Sequence, residues 1–368
     1  MTWISGGAPI ALVVVLAMLP QANTQARENS TASAQEPANV HIANAEVPFS
    51  GLASPEARET LARLLTATPA PDFRHDIEAA RRFYREFNDE RLAELRGRYA
   101  VTITPEVIGG VRTDIVAPKE GVSDRNRERV LINLHGGAFL WGAGSGALVE
   151  AVPIAATSRI KVITVDYRMA PEHRFPAASE DAAAVYRALL KTYKPENIGI
   201  YGCSAGGILT AQSVAWFATH GLPRPGAIAT LCATGAELNG DSAYIAPMLT
   251  GQPPVAAGAK PGLLIVDLPY FEGVDPRNPL VFPMVSREVI ANFPPTLLIA
   301  GSRDFSASSL TTMHRRLREL GVDAELFVFD GLWHAFFIYP ALPESREAYG
   351  VIGRFFDSRL GRQPQRDG

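Results

Sequence analysis

The chain of 368 residues predicts an α/β fold in which helices cover both faces of a mostly parallel sheet. Two observations lead to this prediction. Short apolar, β-branched runs recur along the chain, and segments with helical spacing of apolar residues separate most of them. The composition, 47% hydrophobic and 20% charged, is ordinary for a globular protein of this length, which can bury a full core.

Eight strands are predicted in this sheet. The first two, 107–108 and 111–116, form a hairpin because two glycines separate them. The other six strand-like runs are 130–134, 160–165, 197–201, 227–232, 296–300 and 324–329. The helical segments between and after them lie near 144–158, 178–193, 206–220, 306–320 and 344–360.

Two regions depart from this alternation. Residues 46–100 are predicted to be N-terminal helices, the second of them the charged amphipathic stretch 72–96. Residues 237–293 are rich in Pro and Gly and have no clean pattern, which indicates an inserted lid rather than a plain loop. The α/β core then comprises 101–236 and 294–362.

The N-terminus predicts export to the periplasm or the medium. An apolar run at 10–19 is followed by small polar residues, as in a secretory signal peptide covering 1–26, with cleavage after Ala22 or Ala26. No Lys or Arg precedes the apolar run, so an uncleaved anchor is the alternative. Residues 27–45 resemble a flexible linker, and no stable membrane association is expected after cleavage.

Charge and composition exclude several partners. Lys and Arg number 35 against 38 Asp and Glu, a net charge of −3, which argues against a nucleic-acid partner. The histidines lack metal-ligand spacing, so neither a metal nor a cofactor is predicted. The oligomeric state cannot be read from the sequence. The two cysteines, Cys203 and Cys232, are expected to be free buried thiols, with a disulfide in an oxidising compartment as the alternative.

The most informative motif is G-x-S-x-G at residues 202–206, with Ser204 at its centre. It lies between a strand-like run and a helix-like segment, so it predicts a sharp turn that exposes a nucleophilic serine. Gly202 and Gly206 are expected where any side chain would collide with a neighbouring element. The helix that follows would direct backbone N–H groups at negative charge forming beside the serine.

Partners for this serine follow later strands. Asp304 comes after the run 296–300, and His334 comes after the run 324–329. A serine hydroxyl needs a base, and the order Ser, Asp, His is that of the α/β-hydrolases. Asp330 is the rival acid, but it lies four residues before His334 and more plausibly shapes that turn.

Four motifs together resemble the hormone-sensitive lipase family of esterases, bacterial family IV. The similar segments are His-Gly-Gly-Ala-Phe at 135–139, Gly-Cys-Ser-Ala-Gly-Gly at 202–207, Asp-Tyr-Arg-Met-Ala-Pro-Glu-His-Arg-Phe-Pro-Ala-Ala at 166–178 and Asp-Pro-Arg-Asn-Pro-Leu at 275–280. The resemblance runs from about residue 100 to the C-terminus. It implies an α/β-hydrolase fold with an eight-stranded sheet and a helical cap, made in part by the N-terminal helices.

The resemblance also implies site residues. Backbone N–H groups of Gly137, Ala138 and Ala205 would form the oxyanion hole, and His135 would brace that loop. Ala138 replaces the family's third glycine, and its methyl group narrows the space for esters of bulky alcohols. Cys203 replaces the family's aspartate, so a local hydrogen-bonding anchor is lost.

The implied activity is cofactor-independent hydrolysis of short-to-medium acyl esters by Ser204, with Asp304 and His334, through an acyl-enzyme. Small-molecule lactones are the alternative substrates because the chemistry is the same. A receptor-like binding protein of this superfamily is the other alternative, but such receptors lack the histidine, which is present here as His334.

Overall fold

A computed structural model describes residues 46–251 and 265–361. The predicted signal peptide and linker, and residues 252–264 of the predicted lid, lie outside these described residues. No helix within the described ranges has the length and apolar character needed to cross a membrane.

Eight strands form one sheet at the centre of the fold. In chain order they are β1 (Val101–Ile108), β2 (Val111–Pro118), β3 (Val130–Leu134), β4 (Lys161–Val165), β5 (Ile198–Cys203), β6 (Ala227–Leu231), β7 (Thr296–Gly301) and β8 (Ala324–Phe329). Their spatial order is β1-β2-β4-β3-β5-β6-β7-β8. Only β2 runs against its neighbours, so the predicted mostly parallel, eight-stranded sheet is confirmed.

Helices pack on both faces of the sheet, as predicted. In chain order they are α1 (Pro55–Thr66), α2 (Ile77–Arg98), α3 (Ser145–Ser158), α4 (Ala177–Leu189), α5 (Ala205–Thr219), α6 (Asp241–Thr250), α7 (Arg287–Ala291), α8 (Ala307–Glu319) and α9 (Pro343–Arg359). Successive strand residues point to opposite faces. Ile132 on β3 accordingly belongs to the core cluster that includes residues of α4, α5 and α8, while the adjacent Leu131 belongs to the cluster that includes residues of α3 and α9.

The first elements differ from the sequence prediction in their bounds. β1 and β2 pair along eight residues each, longer than the predicted 107–108 and 111–116. β1 is at the sheet edge and mostly exposed, so it lacks the apolar signal of a buried strand. α2 begins at Ile77 rather than at residue 72, because the Asp76 side chain accepts a hydrogen bond from the Ala79 amide and caps the helix there.

The described parts of the predicted lid contain α6, α7 and three short 3-10 turns. Tyr270 and Phe271, in one of these turns, and Phe282, directly before another, are buried. The Tyr270 ring stacks on Phe139, with centroids 4.4 Å apart and an interplanar angle of 6°. The insertion is therefore anchored by aromatic packing on the loop that follows β3.

Candidate active site

Ser204 occupies the sharp turn between β5 and α5. Its backbone has φ 57° and ψ −122°, a conformation that few residues other than glycine adopt. Its amide donates a hydrogen bond to the Leu231 carbonyl on β6 at 2.9 Å. Cys203 and Ala205 are buried on either side, whereas Ser204 is partly exposed. The turn has the strained geometry that the motif predicts.

Two glycines make this turn possible. A Cβ atom at Gly202 would lie 2.1 Å from the Leu134 carbonyl oxygen, and one at Gly206 would lie 1.7 Å from the same atom. Both distances are far inside van der Waals contact, so any side chain at either position would force β3 and α5 apart. The steric reason predicted for these glycines is confirmed.

The loop after β3 passes close to Ser204. A Cβ atom built on Gly136 would lie 3.4 Å from the Ser204 Cβ atom. Gly137, Ala138 and Phe139 follow with positive φ values of 119°, 53° and 58°. The amides of Gly137 and Ala138 donate no hydrogen bond to any described residue. Two backbone donors are therefore free close to the serine.

His135 and the aromatic residues of this loop are packed into the protein rather than exposed to solvent. His135 is fully buried, stacks on the Tyr167 ring at 4.2 Å, and has Nδ1 2.7 Å from the Gly136 carbonyl oxygen. Burial lowers the pKa of His135. Phe139 is fully buried in the core, and Trp141 is partly buried.

Asp304 and His334 meet beyond the ends of β7 and β8. His334 Nδ1 lies 2.9 Å from Asp304 Oδ1, and the Asp304 side chain is 0% exposed. The same oxygen accepts hydrogen bonds from the Ser306 amide and hydroxyl at 2.8 and 2.7 Å. The Phe305 ring stacks on the His334 ring, with centroids 4.1 Å apart. These contacts fix both the carboxylate and the imidazole plane.

The structure does not complete the predicted triad by contact. Ser204 and His334, both among the described residues, are not hydrogen-bonded to each other. Such bonds are often long before substrate binds. Asp330 is not the partner of His334. It is exposed and accepts hydrogen bonds from Ser50 and Ser302, and these bonds lower its pKa.

The two thiols connect the serine turn to the Asp304–His334 pair. Cys203 Sγ and Cys232 Sγ are 2.7 Å apart, both residues are buried, and neither forms a disulfide. The Cys232 sulfur, a carboxylate oxygen of Asp304 and an imidazole nitrogen of His334 all lie within 4.8 Å of one another. Cys203, the residue before Ser204, therefore contacts Cys232, and the Cys232 thiol lies beside Asp304 and His334.

Sequence reasoning missed Glu150, which lies on α3 beneath the loop after β3. Its Oε1 accepts a hydrogen bond from the Gly136 amide at 2.8 Å, and its Oε2 accepts one from Asn133 Nδ2 at 2.9 Å. The Cys203 backbone faces the same carboxylate and favours its charged form, which opposes the effect of burial on the pKa of Glu150. The available signal was a lone charged residue in the otherwise uncharged helix α3.

Arg81 on α2 was also missed. Its guanidinium donates to the Leu140 and Ala170 carbonyls at 2.9 and 3.0 Å and pairs with Glu172 at 2.7 Å. These bonds connect the N-terminal helices to the loop that carries the free donors. No local sequence pattern identifies such a contact, because its partners lie far along the chain.

This fold with its serine turn defines the class of α/β hydrolases. A model of the alpha/beta hydrolase fold family matches residues 131–338, more than half of the chain, so the chain belongs to that family. An acetyl-hydrolase from Streptomyces hygroscopicus is 29% identical over 245 residues, which are 64% of this chain and 78% of the relative. An acetyl esterase from Salmonella paratyphi B is 26% identical over 299 residues, covering 77% and 88%.

Solved structures agree with this assignment. The crystal structure of the esterase E25 has a TM-score of 0.73 and 29% identity, and covers 88% of this chain and 99% of its own. An esterase of the bacterial hormone-sensitive lipase family has a TM-score of 0.69 and 26% identity, covering 84% and 99%. The resemblance stated from the motifs is confirmed, and the chain is a carboxylesterase-type hydrolase of that family.

Proposed function

We propose that this hydrolase cleaves short-to-medium acyl esters through an acyl-enzyme on Ser204, with His334 as the base and Asp304 as its partner. The buried hydrogen bond between Asp304 and His334, beyond β7 and β8, is the observation that carries the proposal. Parallel strands present their carboxyl ends at one edge, so the loops after β5, β7 and β8 converge there.

In the first step, Ser204 Oγ attacks the ester carbonyl carbon while His334 takes the hydroxyl proton. Asp304 holds Nδ1 of the ring, which leaves Nε2 for this proton, and its negative charge stabilises the imidazolium. His334 then returns the proton to the departing alcohol. Water attacks the acyl-enzyme by the same proton route, releasing the acid and restoring the Ser204 hydroxyl.

The oxyanion that forms in both steps needs donors that are already in position. We assign this role to the amides of Gly137, Ala138 and Ala205. The first two are free of acceptors among the described residues, and the third opens α5, where helix amides have no partner within the helix. One such donor contributes about 3 kcal/mol to lowering the barrier.

Two observations support a compact ester as the substrate. Relatives in Streptomyces hygroscopicus and Salmonella paratyphi B are named acetyl-hydrolase and acetyl esterase. The Ala138 methyl group also stands in the loop beside Ser204, where the related motif has glycine. The names of the relatives favour a short acyl group, and the methyl group disfavours a bulky alcohol group.

The test is a series of initial rates on p-nitrophenyl esters from acetate to palmitate, with wild type, Ser204→Ala and Ser213→Ala. Ser213 is a matched control, because it is a buried serine on α5 whose hydroxyl donates to the Leu209 carbonyl within the same helix. We expect activity to peak at short chains, to fall at least about a thousandfold in Ser204→Ala, and to be unchanged in Ser213→Ala.

Two results would refute the proposal. If Ser204→Ala hydrolysed the esters at wild-type rates, Ser204 would not be the nucleophile. If the folded wild type hydrolysed lactones but none of these esters, the substrates would be lactones instead. A peak at palmitate would keep the mechanism and contradict the acyl-length assignment.

We also propose that residues 1–26 direct export and are removed. The apolar run at 10–19, followed by small polar residues, supports this. Expression of the full chain, followed by mass measurement of the exported protein, should give an N-terminus after Ala22 or Ala26. Full-length protein retained in the membrane fraction would indicate an anchor instead.

A further inference from the structure

A single buried carboxylate holds together the two chain segments that flank the reactive centre. Glu150 is 5% exposed and is the only charged residue of α3. No described cation pairs with it. The hydrogen bonds that reach it come from one backbone amide and one side-chain amide, and both donors are neutral.

Two backbone amides that face this carboxylate belong to the two segments that meet at Ser204, and the Gly136 amide is the one that donates a hydrogen bond to it. The Gly136 amide belongs to the loop with the free oxyanion donors, one residue before Gly137. The Cys203 amide belongs to the serine turn, one residue before the nucleophile. One carboxyl group therefore connects the segment that would bind the oxyanion to the segment that presents the serine.

The atoms around the Glu150 carboxylate are tightly packed. A Cβ atom on Gly136 would lie 3.0 Å from the Cys203 carbonyl oxygen and 3.4 Å from both Glu150 Oε1 and Ser204 Cβ. Asn133 Nδ2 holds the second carboxylate oxygen from β3 at 2.9 Å. The carboxylate is thus fixed by the sheet on one side and by the two reactive segments on the other.

An ordinary packing role does not account for a glutamate at this position. Burial raises the pKa of Glu150 to about 7, so the charge is costly there. The titratable side chains that face it, Tyr167, Tyr201, Cys203 and Cys232, all have pKa values raised by burial and supply no positive charge. An apolar residue would avoid that cost but would leave the Gly136 amide and the Asn133 side-chain amide without this acceptor.

We propose that Glu150 is a positioning residue that holds the oxyanion loop against the serine turn, and so sets the distance between Ser204 and the donors on Gly137 and Ala138. This inference rests on the proposed function. It also supplies the anchor that Cys203 lacks, since the carboxylate comes from α3 rather than from the residue before the serine.

The consequence is a defect in chemistry rather than in substrate binding. A displaced donor loses contact with the oxyanion, which exists only in the transition state and the tetrahedral intermediate. The ground-state ester does not use that contact fully. Loss of Glu150 should therefore lower kcat in both acylation and deacylation and leave KM nearly unchanged.

Glu150→Gln is the variant that tests this. The amide has nearly the same shape, but its NH2 group replaces one acceptor, so it opposes one of the N–H donors. We expect kcat for p-nitrophenyl acetate to fall about 10- to 100-fold, with KM changing by less than about threefold. The inhibition constant of a boronic acid that adds to Ser204 should rise in proportion to the loss in kcat/KM.

Asp181→Asn is the matched control. Asp181 is a buried carboxylate on α4 that accepts hydrogen bonds from the Arg168 amide and guanidinium, and it touches none of the proposed site residues. The variant should lose thermal stability while kcat per folded enzyme and boronic-acid inhibition stay at wild-type values. Such a result would show that losing a buried carboxylate does not by itself lower kcat, so that a loss in Glu150→Gln reports on the position of the oxyanion loop.

The outcomes separate this inference from the proposed function. A folded Glu150→Gln enzyme with wild-type kcat and boronic-acid affinity would overturn the positioning role, while Ser204→Ala independently tests the mechanism. If Glu150→Gln does not fold, Glu150→Asp decides, because its shorter side chain keeps the carboxyl group but cannot reach both the Gly136 amide and Asn133 Nδ2. Reduced kcat with preserved KM supports the inference, and a wild-type kcat contradicts it.

Discussion

A buried carboxylate lies on each side of Ser204, Asp304 on one side and Glu150 on the other, and the two differ in their hydrogen-bond partners. Asp304 contacts an imidazole, the group that would carry a proton, and one of its oxygens accepts bonds from His334 and Ser306. Glu150 accepts hydrogen bonds from a backbone amide and an asparagine, and among the described residues it pairs with no titratable base. The difference shows how similar groups serve proton transfer on one side and loop geometry on the other.

The largest expected effect is on the acid–base side. Asp304→Asn keeps the shape but offers His334 Nδ1 an uncharged partner, so the ring is no longer held in the productive tautomer. We expect kcat/KM to fall about 10³- to 10⁴-fold near neutral pH, measured with p-nitrophenyl acetate.

Asp330→Asn is the control for that substitution. Asp330 is also an aspartate in a loop near His334, but it is exposed and bonded to Ser50 and Ser302. Its amide variant should keep kcat/KM within about twofold, as surface substitutions usually do. A comparable loss in both variants would mean that the loops, and not the Asp304–His334 bond, carry the effect.

The next effect concerns stability on the oxyanion side. Burial raises the pKa of Glu150 from 4.5 to about 7, so the folded protein binds this proton more tightly than the unfolded chain. The resulting stabilisation is complete below about pH 4.5 and is lost as the pH rises through about 7. It amounts to about 3 kcal/mol across that window.

Urea unfolding of wild type and Glu150→Gln at pH 5 and pH 8 measures this contribution. The wild type should lose more stability between the two pH values than the variant, because the glutamine does not titrate. Equal pH dependence in the two proteins would show that Glu150 keeps an ordinary pKa and that the two carboxylates are more alike than their surroundings indicate.

The smallest effect is at Ala138, which has φ 53° in the oxyanion loop. Ala138→Gly removes a methyl group from a left-handed conformation and should stabilise the fold by about 1 kcal/mol or less. The space beside Ser204 also widens. The ratio of kcat/KM for tert-butyl acetate to that for ethyl acetate should therefore rise, while the rate on ethyl acetate changes little.

Thermal unfolding and paired hydrolysis assays check both parts of this prediction. A lower melting temperature would mean that the methyl group packs favourably in the loop. An unchanged ratio of the two esters would place the limit on bulky alcohols elsewhere, for example in the aromatic contacts of the lid.

The sequence by itself determined the sheet and the positions of the serine turn and its later partners. Regular alternation of strands and helices specifies a parallel sheet, and such a sheet brings the loops after β5, β7 and β8 to one edge. The bounds of the exposed edge strand β1 were harder to predict, because such a strand lacks a continuous apolar run.

Only the tertiary structure decided which side chains meet at that edge. The hydrogen bond of His334 to Asp304, rather than to Asp330, depends on how two loops pack. Glu150 is in the middle of a helix, where no motif marks a site residue, and its hydrogen-bond partners come from β3 and the loop after it. Local pattern encodes the elements because their hydrogen bonds are local, whereas a buried carboxylate obtains its role from donors that folding brings to it from distant parts of the chain.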